Sequence, residues 1–296
     1  AEWGLRQRRG GPCGIFAPVQ AFIVKSLLFA EADGAAPPGR GDDPMACSEG
    51  EEDLRAAVLA NALASVMFHA TPSSSYVVCE VSMAGSSEEE RSACASAVAT
   101  GAAALTVVSR RVSRASEVQH IFEEAFSSWL GGPLGVLSFL CSVLLSRTLP
   151  AVHEDMDDPS MPLLGRFGHC SQELVNLMLV GEATSNVFDG TRFLGDDPSS
   201  GLLLKGVIGE KVGVPLVGFL SGFEAEAIRK LEVGLLYKYP EYPVWVLGSA
   251  THYLIVFSTR REDARLSHEA QVEQRAKQVF NEHSIDEGGL AMAGRL

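Results

Sequence analysis

Cys13 follows Gly10-Gly11-Pro12 and precedes Gly14 and the apolar run 15–29. Two glycines and a proline cannot sit comfortably inside a helix, so the chain must turn there. After the turn, Ile15, Val19, Phe22, Ile23 and Leu27 recur at helical spacing, which puts Cys13 at the mouth of a buried helix. Unpaired N–H groups and the positive end of the helix dipole favour a thiolate there, and the thiolate is the nucleophilic form. Gln7 lies upstream, across the glycine turn. Its amide NH2, with the backbone N–H of Cys13, would make a two-donor oxyanion hole. A glycine-rich loop leading into a core helix that begins with Cys satisfies the same local pattern, because most cysteines are small buried hydrophobes.

A thiol nucleophile needs a base, and seven histidines are available. His69 ends a helical pattern and His120 sits within one, so both read as structural or solvated. His153 and His169 fall in or near acidic loops, and His268 and His283 in a polar C-terminal stretch. His252 differs. It closes the short turn Gly248-Ser249-Ala250-Thr251 between the strand-like segments 245–247 and 253–257. A residue at the edge of a buried strand is held firmly while its ring faces a cleft, which suits a general base. A histidine that only decorates a hairpin turn is the plainer alternative. Cys on an early helix with His on a late strand is the papain-like order.

Composition narrows the function classes. The formal net charge of −13 argues against nucleic-acid binding, which needs a basic face. Of the cysteines at 13, 47, 79, 94, 141 and 170, most lie in apolar segments at irregular spacing. Without a signal peptide this fits a reducing, cytoplasmic or nuclear setting. No Cys-x-x-Cys or His-x-x-x-His pair supports zinc, and no Gly-x-Gly-x-x-Gly or Walker pattern supports a nucleotide. No metal or cofactor is expected. The apolar run 134–145 is too short to span a membrane and reads as a core helix. The chain begins at Ala1, not Met, which fits an excised domain or a processed chain.

The elements that must position these side chains follow from periodicity and punctuation. Helices are expected over 13–30, from a Ser48–Glu51 capping box to about Phe68, from a Ser116 cap through Trp129, over 134–147, and over 172–180 ending at a left-handed Gly181. Strands are expected over 76–81, 104–108, 233–237, 244–247 and 253–257, with 202–208 as a short strand or helix. Trp3 and Leu5 are expected beside the first helix. Loops are expected over 31–50, 86–92, 148–162 and 181–200, and a charged helix over 262–282. Helices first and strands grouped late make an α+β layout, with the helical part against a mainly antiparallel sheet, in one domain over 1–296.

The block Gln-x-x-Gly-Gly-Pro-Cys-Gly at 7–14, the block 173–190 (ELVNLMLVGEATSNVFDG) and the block 233–258 (VGLLYKYPEYPVWVLGSATHYLIVFS) together resemble the catalytic domain of the MINDY deubiquitinase family. The likeness is closest to the branch of its third and fourth human members. The resemblance implies a papain-like cysteine protease fold. It also implies hydrolysis of isopeptide bonds in polyubiquitin, with a preference for the lysine linkage that directs proteins to the proteasome. By position it makes Cys13 the nucleophile, His252 the general base and Gln7 the oxyanion donor. The chain departs from the family in the compositionally odd inserts near 31–50 and 84–93.

Asn186 and Asp189 are candidates for orienting His252 or touching substrate; turn hydrogen bonds are the equal alternative. Glu224, Glu226, Glu232 and the acidic stretch 154–158 are candidates for a cleft wall that attracts the arginines of the ubiquitin tail. Ubiquitin or polyubiquitin is the expected partner, with neither nucleic acid nor membrane. Two other readings stay open: a catalytically silent ubiquitin-binding module of the same fold, and another papain-like peptidase or acyltransferase.

Overall fold

The computed structural model describes residues 5, 11–29, 50–71, 73, 75–83, 105–165, 168–194, 201–225, 232–266 and 272. Gln7, Trp3, Ser48, Glu226, most of 31–50, the insert 84–93 and the stretch after 266 (Val272 apart) lie outside the described residues.

Helix α1 (Cys13–Phe29) is apolar on nearly every side and is buried accordingly, with Ile15, Val19, Ala21, Phe22 and Ile23 in the core. Helix α2 (Gly50–Ala70) packs on it through Leu63, Val66 and Met67. Leu5 is held beside α1 as expected, its N–H donating to Gln20 Oε1 at 2.7 Å. The β1–β2 hairpin (Tyr76–Met83 and Leu105–Val112, antiparallel) follows, then α3 (Ala115–Ala125), which runs into a π turn, Phe126–Leu130. The Ser116 cap is not made. α3 starts from an extended Arg114 with no side-chain cap, two residues before the expected cap.

Helix α4 (Gly135–Arg147) completes β1 in place of a second strand. Ser138, Ser142 and Ser146 recur every four residues on one face of α4. Their hydroxyls accept the N–H groups of Val81, Cys79 and Val77 at 3.0, 2.8 and 2.8 Å. The buried edge of β1 is thereby satisfied, as buried backbone donors require.

The stretch 148–162 is not wholly a loop. It opens with a short helix, α5 (Leu149–Asp155), with Pro150 in its first turn. Helix α6 (Gln172–Val180) forms as expected, with Ser171 Oγ accepting the Leu174 N–H at 3.3 Å and Gly181 in the left-handed conformation. Gly181 is also fixed by contact, since a Cβ there would fall 1.9 Å from the His69 carbonyl oxygen at the end of α2. Leu174, Leu177, Met178 and Leu179 are fully buried, so α6 is the central helix on which α1 and α2 rest.

Strands β3 (Thr191–Leu194) and β4 (Leu202–Lys205) pair antiparallel. The last sheet has the order β5 (Gly218–Ser221), β6 (Val244–Gly248), β7 (Tyr253–Phe257). β6 and β7 are antiparallel, as read from sequence, but β5 joins parallel to β6. The expected strand 233–237 is instead a single helical turn, Leu235–Lys238. The Asp189 carboxylate, far upstream, accepts the Leu235 N–H at 2.6 Å and the Leu236 N–H at 3.2 Å, and this tertiary cap overrides the local β propensity. The architecture is α+β.

Candidate active site

Helix α1 packs across β6 and β7, so its first residue comes to the same end of the molecule as the β6–β7 turn. Cys13 and His252 line one cleft of about 480 Å3, with Gly11, His169, Cys170, Phe223, Ser249 and Tyr253 among the other walls. Cys13 is half-buried and His252 exposed. The turn that carries His252 is tied at both ends by one hydroxyl. Ser249 Oγ donates to the His252 carbonyl at 2.9 Å and accepts the His252 N–H at 3.2 Å, while the Ser249 N–H donates to the same carbonyl at 2.9 Å. The backbone of His252 is fixed, and its ring has no hydrogen-bond partner among the described residues.

The Cys13 N–H donates to the Gly11 carbonyl at 2.8 Å. For this N–H to serve an oxyanion, that bond has to open. Gln7 lies outside the described residues.

Three cleft residues were not singled out by sequence reasoning. His169 is exposed and Cys170 half-buried. The loop that carries them docks through Gly168, which has φ +79° and sits against the Gly11–Pro12 backbone, so a Cβ there would fall 3.0 Å from the Gly11 carbonyl carbon. The local signal was available: Gly-His-Cys immediately precedes the Ser171 cap. Burial pushes the Cys170 thiol up to about 11, with the charge of Cys13 adding to it and the N–H groups of Gly14 and Ile15 opposing it. Tyr253 lines this cleft and a second, smaller one. Burial, with Cys170, Cys13 and Glu173 adding in the same direction, pushes its phenol up to about 12, so it is a neutral O–H donor.

The second cleft, about 170 Å3, shares Phe223, Ser249 and Tyr253 with the first and is walled by Val187, Phe188 and Phe219. Asn186 lines it, but its side-chain amide is committed, donating to Asp157 Oδ2 at 2.7 Å and the Lys205 carbonyl at 2.9 Å. Asp189 lines neither cleft and is spent on the helical turn it caps. Both Asx residues therefore make structural bonds, and neither lines the cleft that holds His252.

The acidic candidates disperse likewise. Asp155 is buried in a bidentate pair with Arg147 at 2.7 and 3.0 Å. Asp157 accepts the Lys205 N–H at 2.8 Å, and Asp158 bonds Ser160. Glu224 pairs with Lys238 at 2.6 Å. Of the described candidates, Glu232 alone lines either of these two clefts, the second one, and it lies 3.7 Å from Arg192. Among the described residues, no group of three or more His, Cys, Asp or Glu side chains converges for a metal ion.

The family profile described as "Deubiquitinating enzyme MINDY-3/4, conserved domain" matches residues 1–282. The chain is similar to ubiquitin carboxyl-terminal hydrolase MINDY-3 of Homo sapiens, 33% identical over 97% of this chain and 63% of that protein. It is 32% identical to the Bos taurus MINDY-3, with the same coverage. It is 31% identical to the probable ubiquitin carboxyl-terminal hydrolase MINDY-4 of Bos taurus, over 98% of this chain and 34% of that protein. The chain thus spans just under two thirds of the length of the MINDY-3 relatives and about one third of the MINDY-4 relative. No solved structure matches. With the profile running from the first residue to 282, the chain belongs to the MINDY-3/4 family of deubiquitinating enzymes.

Proposed function

We propose that the chain is the catalytic domain of a cysteine-dependent deubiquitinase with a papain-like active site, acting on isopeptide bonds in polyubiquitin. The observation that carries the reading is that Cys13, at the start of α1, and His252, at the β6–β7 turn, line one cleft.

His252 takes the proton of Cys13, and the thiolate attacks the carbonyl carbon of the C-terminal glycine of ubiquitin. The carbonyl oxygen gathers negative charge. The Gln7 amide and the Cys13 N–H stabilise it, the latter after leaving the Gly11 carbonyl. His252 then gives its proton to the departing lysine amine. Water, deprotonated by the same imidazole, clears the thioester. The second cleft, apolar with one carboxylate at Glu232, continues from the first through Phe223, Ser249 and Tyr253 and gives the chain preceding the scissile bond a place to lie. The substrate is expected to be the proteasome-directing linkage.

A ubiquitin probe with a C-terminal electrophile tests this. Labelling at Cys13 that is lost in Cys13→Ala supports it, and binding without labelling overturns it in favour of a silent module. A panel of di-ubiquitins then reads the linkage.

A further inference from the structure

Cys170 has no part in the chemistry above, yet it is pressed against the first turn of α1. A Cβ on Gly14 would fall 2.5 Å from Cys170 Cβ and 3.0 Å from its Sγ. The side chain of residue 170 thus approaches the neighbour of Cys13 as closely as a glycine allows. Its backbone is fixed by an antiparallel bridge to Leu164 and by the Ser171 cap that follows. Both sulfur-bearing residues line the same cleft.

The two thiols differ in environment. Cys13 is the first residue of α1 and is half-buried at the cleft. Cys170 is held as a thiol by burial. One is placed to be oxidised, and the other survives to react with the product. The described residues hold one other pair of cysteines close enough to interact, Cys79 on β1 and Cys141 on α4. Burial raises both, and neither lines the cleft.

We propose that Cys170 is the resolving thiol of Cys13, closing a Cys13–Cys170 disulfide that shuts the site reversibly when the protein meets a hydroperoxide. The inference rests on Cys13 being the reactive cysteine of the proposed function. In the first step the Cys13 thiolate attacks the terminal peroxide oxygen. The O–O bond breaks, the sulfur is oxidised by two electrons to a sulfenic acid, and the peroxide leaves as alcohol or water. In the second, Cys170 sulfur attacks Cys13 sulfur. The S–O bond breaks as the S–S bond forms, and hydroxide departs with the Cys170 proton as water. Two thiols and one hydroperoxide give one disulfide, one alcohol or water from the peroxide, and one further water. A disulfide needs Cβ atoms about 3.5–4.5 Å apart. Cys170 already packs on the residue bonded to Cys13 and shares its cleft, and Cys13 stands at the start of α1, next to the turn closed by the Gly11–Cys13 bond.

The whole chain is treated with hydrogen peroxide, free thiols are blocked, and the non-reduced digest is mapped by mass spectrometry. The expected product is a linked pair of the Cys13 and Cys170 peptides, two hydrogens lighter than their sum, that dithiothreitol separates. Labelling by the ubiquitin probe, where present, falls with the disulfide and returns with the reductant. In Cys170→Ser, Cys13 is expected to pass on to sulfinic acid, and reductant restores none of the loss. Wild-type protein that shows Cys13 over-oxidised beside a free Cys170, or a Cys79–Cys141 link alone, overturns the proposal. The peptide map needs no turnover, so absence of deubiquitinase activity leaves this test standing. A Cys170→Ser that fails to fold leaves the wild-type map decisive.

Discussion

The Tyr237 hydroxyl donates to Asn176 Oδ1 at 2.8 Å, tying the helical turn after residue 234 to the fully buried centre of α6. The same oxygen accepts Gln172 Nε2 at 3.0 Å. The Asn176 amide donates to the carbonyls of Thr184 and Asn186 at 2.7 and 3.0 Å. One buried side chain thereby holds the polypeptide beneath the second cleft. Tyr237→Phe is expected to cost about 1–2 kcal/mol, because Asn176 Oδ1 keeps one partner. Asn176→Ala is expected to cost about 3 kcal/mol or more, because several buried groups lose theirs together. Urea denaturation of both variants checks the order. Equal losses would mean that the network does not act through Asn176.

The two imidazoles of the cleft separate by role. His252→Ala is expected to lower the rate of ubiquitin release from a C-terminal fluorogenic amide by about 10^2–10^4-fold, the range for loss of a general base. His169→Ala is expected to change it by no more than a few-fold, since His169 belongs to a loop at the cleft margin and enters no step of the proposed mechanism. Cys13→Ala is expected to abolish turnover. A larger loss at His169 than at His252 would reassign the base.

Gly14 is a prediction about packing at the nucleophile. Gly14→Ala gains helix propensity of about 1 kcal/mol but puts a methyl group 2.5 Å from Cys170 Cβ and 3.1 Å from Val175 Cγ2. Overpacking of this kind costs about 1–3 kcal/mol. The net expectation is a small loss of stability with a large fall in labelling, since Cys13 moves with the first turn. Cys170→Gly in that background removes the nearest atoms and is expected to recover part of both. A double-mutant cycle with no coupling would show that the contact carries no energy.

What was legible in the sequence was local. α1 announces itself by Gly-Gly-Pro followed by helical apolar spacing, α6 by the apolar run 172–180 closed by Gly181, and β6–β7 by two short apolar runs around a polar turn. Each signal lies within the element it specifies. What was missed depends on distant partners. The turn Leu235–Lys238 read as a strand because its cap, Asp189, lies 46 residues upstream. β5 was hidden because its pairing with β6 is parallel and non-local. His169 and Cys170 were passed over because only the docking of Gly168 on Gly11 and Pro12 brings them to the cleft. Part of the expected acidic wall is taken up elsewhere for a related reason: Asp155, Asp157 and Glu224 meet cations or backbone N–H groups that no periodicity reveals, while Glu232 lines the second cleft.

Asp189 gives the protein a pH dependence of known sign. Burial raises its carboxyl above the ordinary 3.8, against the opposing pull of the Leu235 and Leu236 N–H groups and of Arg192 and Lys238. A carboxyl raised on folding stabilises the native state while protonated. That contribution is complete below 3.8 and is lost as pH rises through the folded value. Asp189→Asn keeps an acceptor for the Leu235 N–H and removes the titration. Denaturation at a series of pH values is expected to show wild-type stability, measured relative to the variant, falling as pH rises above 3.8 and then levelling. A difference that is flat with pH, or that rises, contradicts the assignment. Glu182, raised chiefly by burial, titrates in both proteins and cancels from the difference.

The serine face of α4 makes a prediction that the cleft does not share. Ser142→Ala leaves the Cys79 N–H without its acceptor inside the core, a loss of about 1–3 kcal/mol, offset by a few tenths for the better helix former. Ser146→Ala removes two bonds to the strand, since its hydroxyl also donates to the Val77 carbonyl at 3.2 Å, whereas the second bond of Ser142 goes to the Ser138 carbonyl inside α4; it is expected to cost more. Amide exchange should therefore quicken at Val77 and Cys79 while Val246, in the last sheet, keeps its protection. No described residue of β1 or β2 lines the cleft that holds Cys13 and His252, so probe labelling of the folded fraction should be unchanged. Uniformly faster exchange across both sheets would instead mean that α4 and β1 unfold only with the whole domain, and that the hydroxyl ladder sets global stability and not the docking of one strand.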